Sequence, residues 1–127
     1  MPTYTLEIPN FDGPNPLRSI IESLTLPSGR PGSNEHREVT IYRKADKHSQ
    51  FFLRRLASGT PIPEVVIRAE YGSDKYGKIT QTTITLKGVY VSNFQAGLKG
   101  RDLEQITFNV ESIEIKGTPT TNYDEYE

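Results

Sequence analysis

Two long runs in the C-terminal half constrain this chain more than any other feature. Between Ile79 and Phe94, Thr82, Ile84 and Leu86 share one face of an extended chain, while Val89 and Val91 fall on the other parity. Between Leu103 and Ile115, Ile106, Phe108 and Val110 are in phase, whereas Ile113 and Ile115 are shifted by one across Glu111-Ser112. Alternation with a period of two marks a strand buried on one face. Each slip predicts an extra residue, and glycine at Lys87-Gly88 suits a β-bulge. Two slips in two long strands predict a sheet that curls toward a barrel.

Length and composition agree with a single β-rich domain. At 127 residues one core is expected, and 34% hydrophobic content with ten glycines and nine prolines fits short strands and many turns better than a helical bundle. Fifteen basic residues against sixteen acidic ones leave a net charge of −1, which provides no global attraction to nucleic acid or anionic lipid. The absence of cysteine excludes disulfides, thiolate metal sites and cysteine nucleophiles. No stretch approaches the ~20 apolar residues that span a bilayer, and Met1–Glu7 has neither a basic start nor an apolar run. Export without an ordinary signal peptide is the expectation if the protein leaves the cell.

Along the chain, Tyr4–Ile8 alternates as a strand that Pro9, Asn10, Asp12 and Gly13 are expected to break, and in Leu17–Leu26 the pattern is mixed, so that a bent strand, the preferred reading, competes with a short helix. Pro27–Glu35 concentrates turn formers without an apolar residue and predicts an exposed loop. Glu38–Lys44 alternates again. Asp46 is then placed to cap a helix through about Ser58, with Phe52, Leu53 and Leu56 as its core stripe, Arg54 and Arg55 opposite, and Gly59 as its stop. A charge at Leu53 or Leu56 is therefore expected to abolish folding. Glu64–Tyr71 reads as a strand and Gly72–Gly77 as its turn, while Gly117–Glu127 forms a polar, acidic tail outside a domain spanning 1–116.

Candidate chemistry is sparse. His36 and His48 have no metal-ligand spacing around them, and Asp46-Lys47-His48 with Ser49 is explained by capping and exposure. Neither Gly97-Leu98-Lys99-Gly100 nor Gly72–Gly77 has a phosphate-loop or dinucleotide pattern. Arg43, Lys44, Lys47, Arg54 and Arg55 read as a solvated basic surface, and Asp102, Glu104, Glu111 and Glu114 as solvated carboxylates. No catalytic, cofactor or metal residue is assigned.

One ordered set of segments carries a resemblance. His36–Ser49, Phe52-Leu53, Leu56-Ala57-Ser58-Gly59 and Ile62-Pro63-Glu64-Val65-Val66-Ile67 resemble the haemolysin-coregulated protein family, where a strand, a short helix, a Ser/Thr-Gly stop and an IPEV-like strand start follow in this order. Ile84–Gly97 and Leu103–Val110 are similar to that family's last two strands, so the likeness covers roughly residues 36–116. It implies a mainly antiparallel β-barrel with one packed helix, six copies closing into a ring, and rings stacking into the expelled tube of a type VI secretion system. Implied partners are further copies of the chain, effectors carried in the lumen, and the sheath and spike of the machine, with no nucleic acid and no membrane insertion. The implied course is assembly from the cytoplasm followed by secretion. The inner tube of a phage tail or another contractile injection machine, and a monomeric barrel adaptor, are the alternatives. Ser28, Arg30, Asn34 and Glu35 in the loop, with Gln81, Thr83 and Thr85 on a polar strand face, are the candidate ring-interface residues. Unpaired strand edges left by such a domain are expected to meet neighbouring copies.

Overall fold

The computed structural model describes residues 3–27, 37–73 and 79–117. Its elements run β1 (Thr3–Asp12), β2 (Asn15–Thr25), β3 (Glu38–Lys44), α1 (Ser49–Ser58), β4 (Ile62–Ser73), β5 (Ile79–Ala96) and β6 (Leu103–Gly117), with a 3-10 turn at Leu98–Gly100. All strand pairs are antiparallel in the order β1-β2-β3-β6-β5-β4, and β1 returns to β4, closing a barrel. Closure within one chain is the barrel that the two phase slips predict. Every strand has two neighbours, although some have them over only part of their length.

The phase slips fall in one line across three strands. Buried positions change parity from Leu86 to Val89 in β5, from Val110 to half-buried Ile113 in β6, and from Ile62 to Val65 in β4. Val89 pairs with both Ile62 and Val110, and Lys87 with both Glu64 and Ser112, so the three slips lie side by side. Register is the same on both sides of this line. Gly88 is therefore not the extra residue of a bulge, as the sequence predicts, but the hinge of a shared kink. The register of β5 against β6 shifts instead between Val91 and Asn93.

The kink is also where strands change sheets, a recognised way of turning a corner between packed sheets. The β4/β5 ladder reaches only to Ile62 and Val89, while the β3/β6 ladder runs from Lys44 and Leu103 to Glu38 and Asn109. One sheet thus reads β2-β1-β4-β5-β6 on one side of the kink, and another continues through β3, β6 and β5 on the other side. Gly88 makes the turn at φ 60°, and a Cβ there would run into the Glu111 carboxylate. Glu111 is exposed and can swing away, so the left-handed backbone sets the cost. Gly88→Ala is expected to lose about 1–2 kcal/mol in urea denaturation.

β1 does not stop at Pro9. It continues to Asp12 through a register shift between Ile8 and Asp12, with Asn10 at φ 57°, and turns at Gly13 (φ 62°). β1 last pairs with β4 at Glu7 and Val66, so proline at position 9 forfeits no bond to that strand. β4 likewise runs on through Gly72 to Ser73, and 74–78 of the expected turn lie outside the described residues.

The core gathers inward residues from every strand, with Leu6, Val39, Ile67, Leu86, Ile106 and Phe108 fully buried, and Phe52 of α1 joins them. The helix begins at Ser49, and its N-cap is His48, which makes no side-chain cap bond, rather than the expected Asp46. Asp46 closes the preceding turn: its Oδ1 accepts the His48 N–H at 2.8 Å, and Ser49 Oγ accepts the Asp46 N–H at 3.1 Å. Gly59, at φ 70°, donates to the Arg55 carbonyl at 2.9 Å and ends the helix.

The predicted core stripe is corrected at two of its three positions. Phe52 is fully buried, but Leu53 and Leu56 are 43% and 36% exposed. The docked face is centred on Phe51, Phe52 and Arg55, about 100° round the helix from the centre of the expected Phe52-Leu53-Leu56 stripe. Aromatic packing selects it. Phe51 lies edge-on to Phe11 at 5.0 Å and to Phe52 at 5.4 Å, Phe52 faces Phe108 at 6.2 Å, and the Arg55 guanidinium sits 4.9 Å over the Phe51 ring.

Candidate functional site

The alternation that buries Val39 and Ile41 also carries Arg43 inward, and the alternation that buries Phe108 and Ile106 carries Glu104 inward. The two residues pair directly across β3 and β6. Arg43 and Glu104 are almost fully enclosed, which corrects their reading as solvated charges. Arg43 donates from Nη1 to Glu104 Oε2, from Nη2 to Asp46 Oδ1 at 2.6 Å, and from Nε to Ser19 Oγ at 2.9 Å. Ser49 Oγ donates to Glu104 Oε1 at 2.8 Å, and the Phe52 ring lies 5.4 Å from the Arg43 guanidinium carbon.

This network ties β2, β3, β6 and the first turn of α1 to one guanidinium. Each of the three guanidinium nitrogens of Arg43 donates to an acceptor, and pairing of this kind is the condition under which a buried charge is tolerated. Its role is to place the helix. Inward parity on two paired strands was the sequence signal for both charges.

Burial pushes the Asp46 carboxyl up, but the hydrogen bonds from Arg43 and the His48 amide, with the Arg43 charge, outweigh burial and hold it below its ordinary value of 3.8. Stability from that charge is complete above 3.8 and drains as pH falls through the lower folded value. His48 is half-buried rather than solvated, packed edge-on against Phe11 at 5.5 Å, with Nδ1 3.9 Å from Asp46 Oδ2. Among the described residues no group of His, Asp and Glu is arranged to hold a metal ion.

The outward face of the five-stranded sheet is polar. Gln81, Thr83 and Thr85 lie on it, half-buried, paired with Glu70, Arg68 and Val66 of β4. Glu7 of β1 accepts from both Arg18 (3.1 Å) and Arg68 (2.9 Å), forming the floor of a groove of about 350 Å³ with Thr5 and Glu70. Burial alone would raise the Glu7 carboxyl, yet the two arginines hold it below its ordinary 4.5. A second groove of about 300 Å³ opens where β1 leaves β4, between Ile8–Phe11 and Ile62–Glu64, above Phe51 and Arg55. Neither groove brings a nucleophile, a base and an oxyanion donor together. Ser28, Arg30, Asn34, Glu35 and His36 lie outside the described residues.

The family model described as "Type VI secretion system effector, Hcp" matches residues 19–116. The chain belongs to the Hcp family. As an Hcp protein it is a tube subunit of the type VI secretion machine. A search of curated proteins finds no match. Among solved structures, this Hcp chain is similar to the secreted protein Hcp3 from Pseudomonas aeruginosa at 15% identity and TM-score 0.69, over 94% of this chain and 99% of that one. Hcp1 from Salmonella typhimurium is similar at 12% identity and TM-score 0.67, over 93% and 86% of the two chains. A chain of the 6-fold symmetrised anti-feeding prophage baseplate is similar at 17% identity and TM-score 0.55, over 89% and 91%. At these identities the structures speak for the fold. The described residues contain no helix long and apolar enough to cross a membrane.

Proposed function

We propose that this Hcp chain closes into six-membered rings that stack into a tube, with the outward face of the five-stranded sheet lining the bore. The chain performs no catalytic step. Effector proteins travel in the lumen, the sheath and spike of the machine are its further partners, and it passes from the cytoplasm to the exterior with the expelled tube. The observation that carries this reading is the composition of that face. Thr5, Thr83 and Thr85, Gln81, and the shared Glu7-Arg18-Arg68 cluster make a mostly polar wall, with Ile20 exposed at its β2 edge and without a catalytic constellation among the described residues, over a barrel of the Hcp fold. The loop residues Ser28, Arg30, Asn34 and Glu35 are assigned to ring stacking.

Mass photometry of the purified chain tests the ring. The main species is expected near six times the 14.3 kDa of one chain. A monomer at every concentration would overturn this reading and favour a free-standing adaptor.

A further inference from the structure

Helix α1 turns a face outward that the barrel does not use. Gln50, Leu53, Arg54 and Ala57 recur at the i, i+3, i+4, i+7 spacing of one helix flank, and all four are exposed. Leu53 and neighbouring Leu56 are among the exposed large apolar side chains, left bare because Phe51 and Phe52 took the docked face. Cations frame the pair. Arg54 lies on the flank itself and Lys47 three residues before Gln50, and neither has an ion-pair partner among the described residues. The helix carries no acidic residue, and the nearby Asp46 is held by Arg43. An apolar pair rimmed by charge of one sign suits a segment of opposite charge with large apolar or aromatic side chains.

The sequence holds one segment of that character. Asn122-Tyr123-Asp124-Glu125-Tyr126-Glu127 sets three carboxylates and two tyrosines in six residues without a cation. These residues lie outside the described ones, but the strand that leads to them is described, and it runs away from its own helix. Gly117 pairs with Thr82, which stands level with Ala69 and Tyr4. The helix packs toward the opposite end of the barrel, on Phe11 and Phe108. At about 3.3 Å per residue, the path from Tyr4 to Phe11 along β1 or from Gly117 to Phe108 along β6 is roughly 23–30 Å. Residues 118–127 reach about 33 Å when fully extended. They would have to double back at nearly their whole reach to touch their own α1, whereas a copy placed head to tail presents its α1 directly ahead.

We infer that in the stacked tube residues 118–127 of one copy lie on the exposed α1 flank of a copy in the next ring. This rests on the ring reading above and names a contact between rings, beside the loop assigned to stacking there. Asp124, Glu125 and Glu127 face Lys47 and Arg54, while Tyr123 and Tyr126 cover Leu53 and Leu56. Opposite ends of the barrel meet, so the contact is heterologous and repeats from ring to ring without closing, as a tube requires. Each contact is small, but six act together between two rings. Being ionic and at the surface, it weakens as salt is added.

The chain has no cysteine, so introduced ones report without background. A size-tagged chain carrying Leu53→Cys, mixed with an untagged chain carrying Tyr126→Cys, should give a tagged-untagged dimer on mild oxidation that reduction reverses, while Leu53→Cys alone gives none. In the double variant Leu53→Cys with Tyr126→Cys, a fast-migrating monomer with an internal disulfide would place the segment on its own helix and overturn the proposal. Arg54→Glu should leave hexamers intact by mass photometry and lower the fraction of rings found in stacks at least about fivefold, and Glu125→Arg in the same chain should restore it. Breakup of the hexamer itself by Arg54→Glu, in a chain that circular dichroism shows to be folded, would place this flank inside the ring and overturn the contact between rings. Hexamers that give no mixed dimer and stack alike in every variant would overturn this contact while leaving the ring standing. A wild-type chain that is monomeric throughout would overturn both.

Discussion

Replacing Arg43 by methionine should cost about 3–5 kcal/mol of folding stability, a loss read directly from urea denaturation. Methionine fills much of the arginine's volume, so the loss is electrostatic rather than a cavity. It strands Glu104, 1% exposed, with only Ser49 Oγ to satisfy it, and it removes the donor that holds Asp46 and Ser19. A buried carboxylate without its cation is the costly outcome, whereas removal of both charges is not. Arg43→Met combined with Glu104→Met should therefore recover more than half of the single-variant loss, a coupling that a double-mutant cycle measures. A single variant within about 1 kcal/mol of wild type would show that the network does not hold the barrel to the helix.

The second large effect separates neighbouring residues of α1. Phe52→Ala should cost about 3–5 kcal/mol, because a fully buried ring packed on Phe51, Phe108 and the Arg43 guanidinium leaves a cavity that a closed barrel cannot collapse. Leu53→Asp and Leu56→Asp should each cost less than about 1 kcal/mol and leave the far-ultraviolet spectrum unchanged. Thermal melts of the three variants side by side decide between the observed face of the helix and the one its sequence suggests. Unfolding of either aspartate variant would move the helix back onto its Leu53-Leu56 flank.

That contrast shows where the sequence is ambiguous. Strand alternation admits two faces only, so Ile84, Leu86, Val89, Val91, Ile106, Phe108 and Val110 could be read as inward, and all seven are buried. The closed barrel and its kink follow from those parities, since a sheet whose core residues change face must bend there. A short helix admits a continuum of faces. Phe51, Phe52, Leu53 and Leu56 cover enough of its circumference that the choice falls to the partner surface, here the ring of Phe11 and the end of the core at Phe108.

Two other features escaped a linear reading for different reasons. Arg43 and Glu104 sit 61 residues apart, and their complementarity appears only when β3 and β6 are laid side by side. The positive φ of Gly88 explains the glycine, but the absence of a bulge there depends on β4 and β6 kinking at the same level, and one strand cannot report the register of its neighbours.

The most direct measurement is a projection image of the purified protein seen down the particle axis. An open ring with six equal lobes and a stain-filled bore is expected, because the chain is a tube subunit of the Hcp family and the ring proposed above holds six copies around a wetted lumen. Solid particles the size of a single barrel, or pairs related by a two-fold axis with no central opening, would contradict the tube subunit described here.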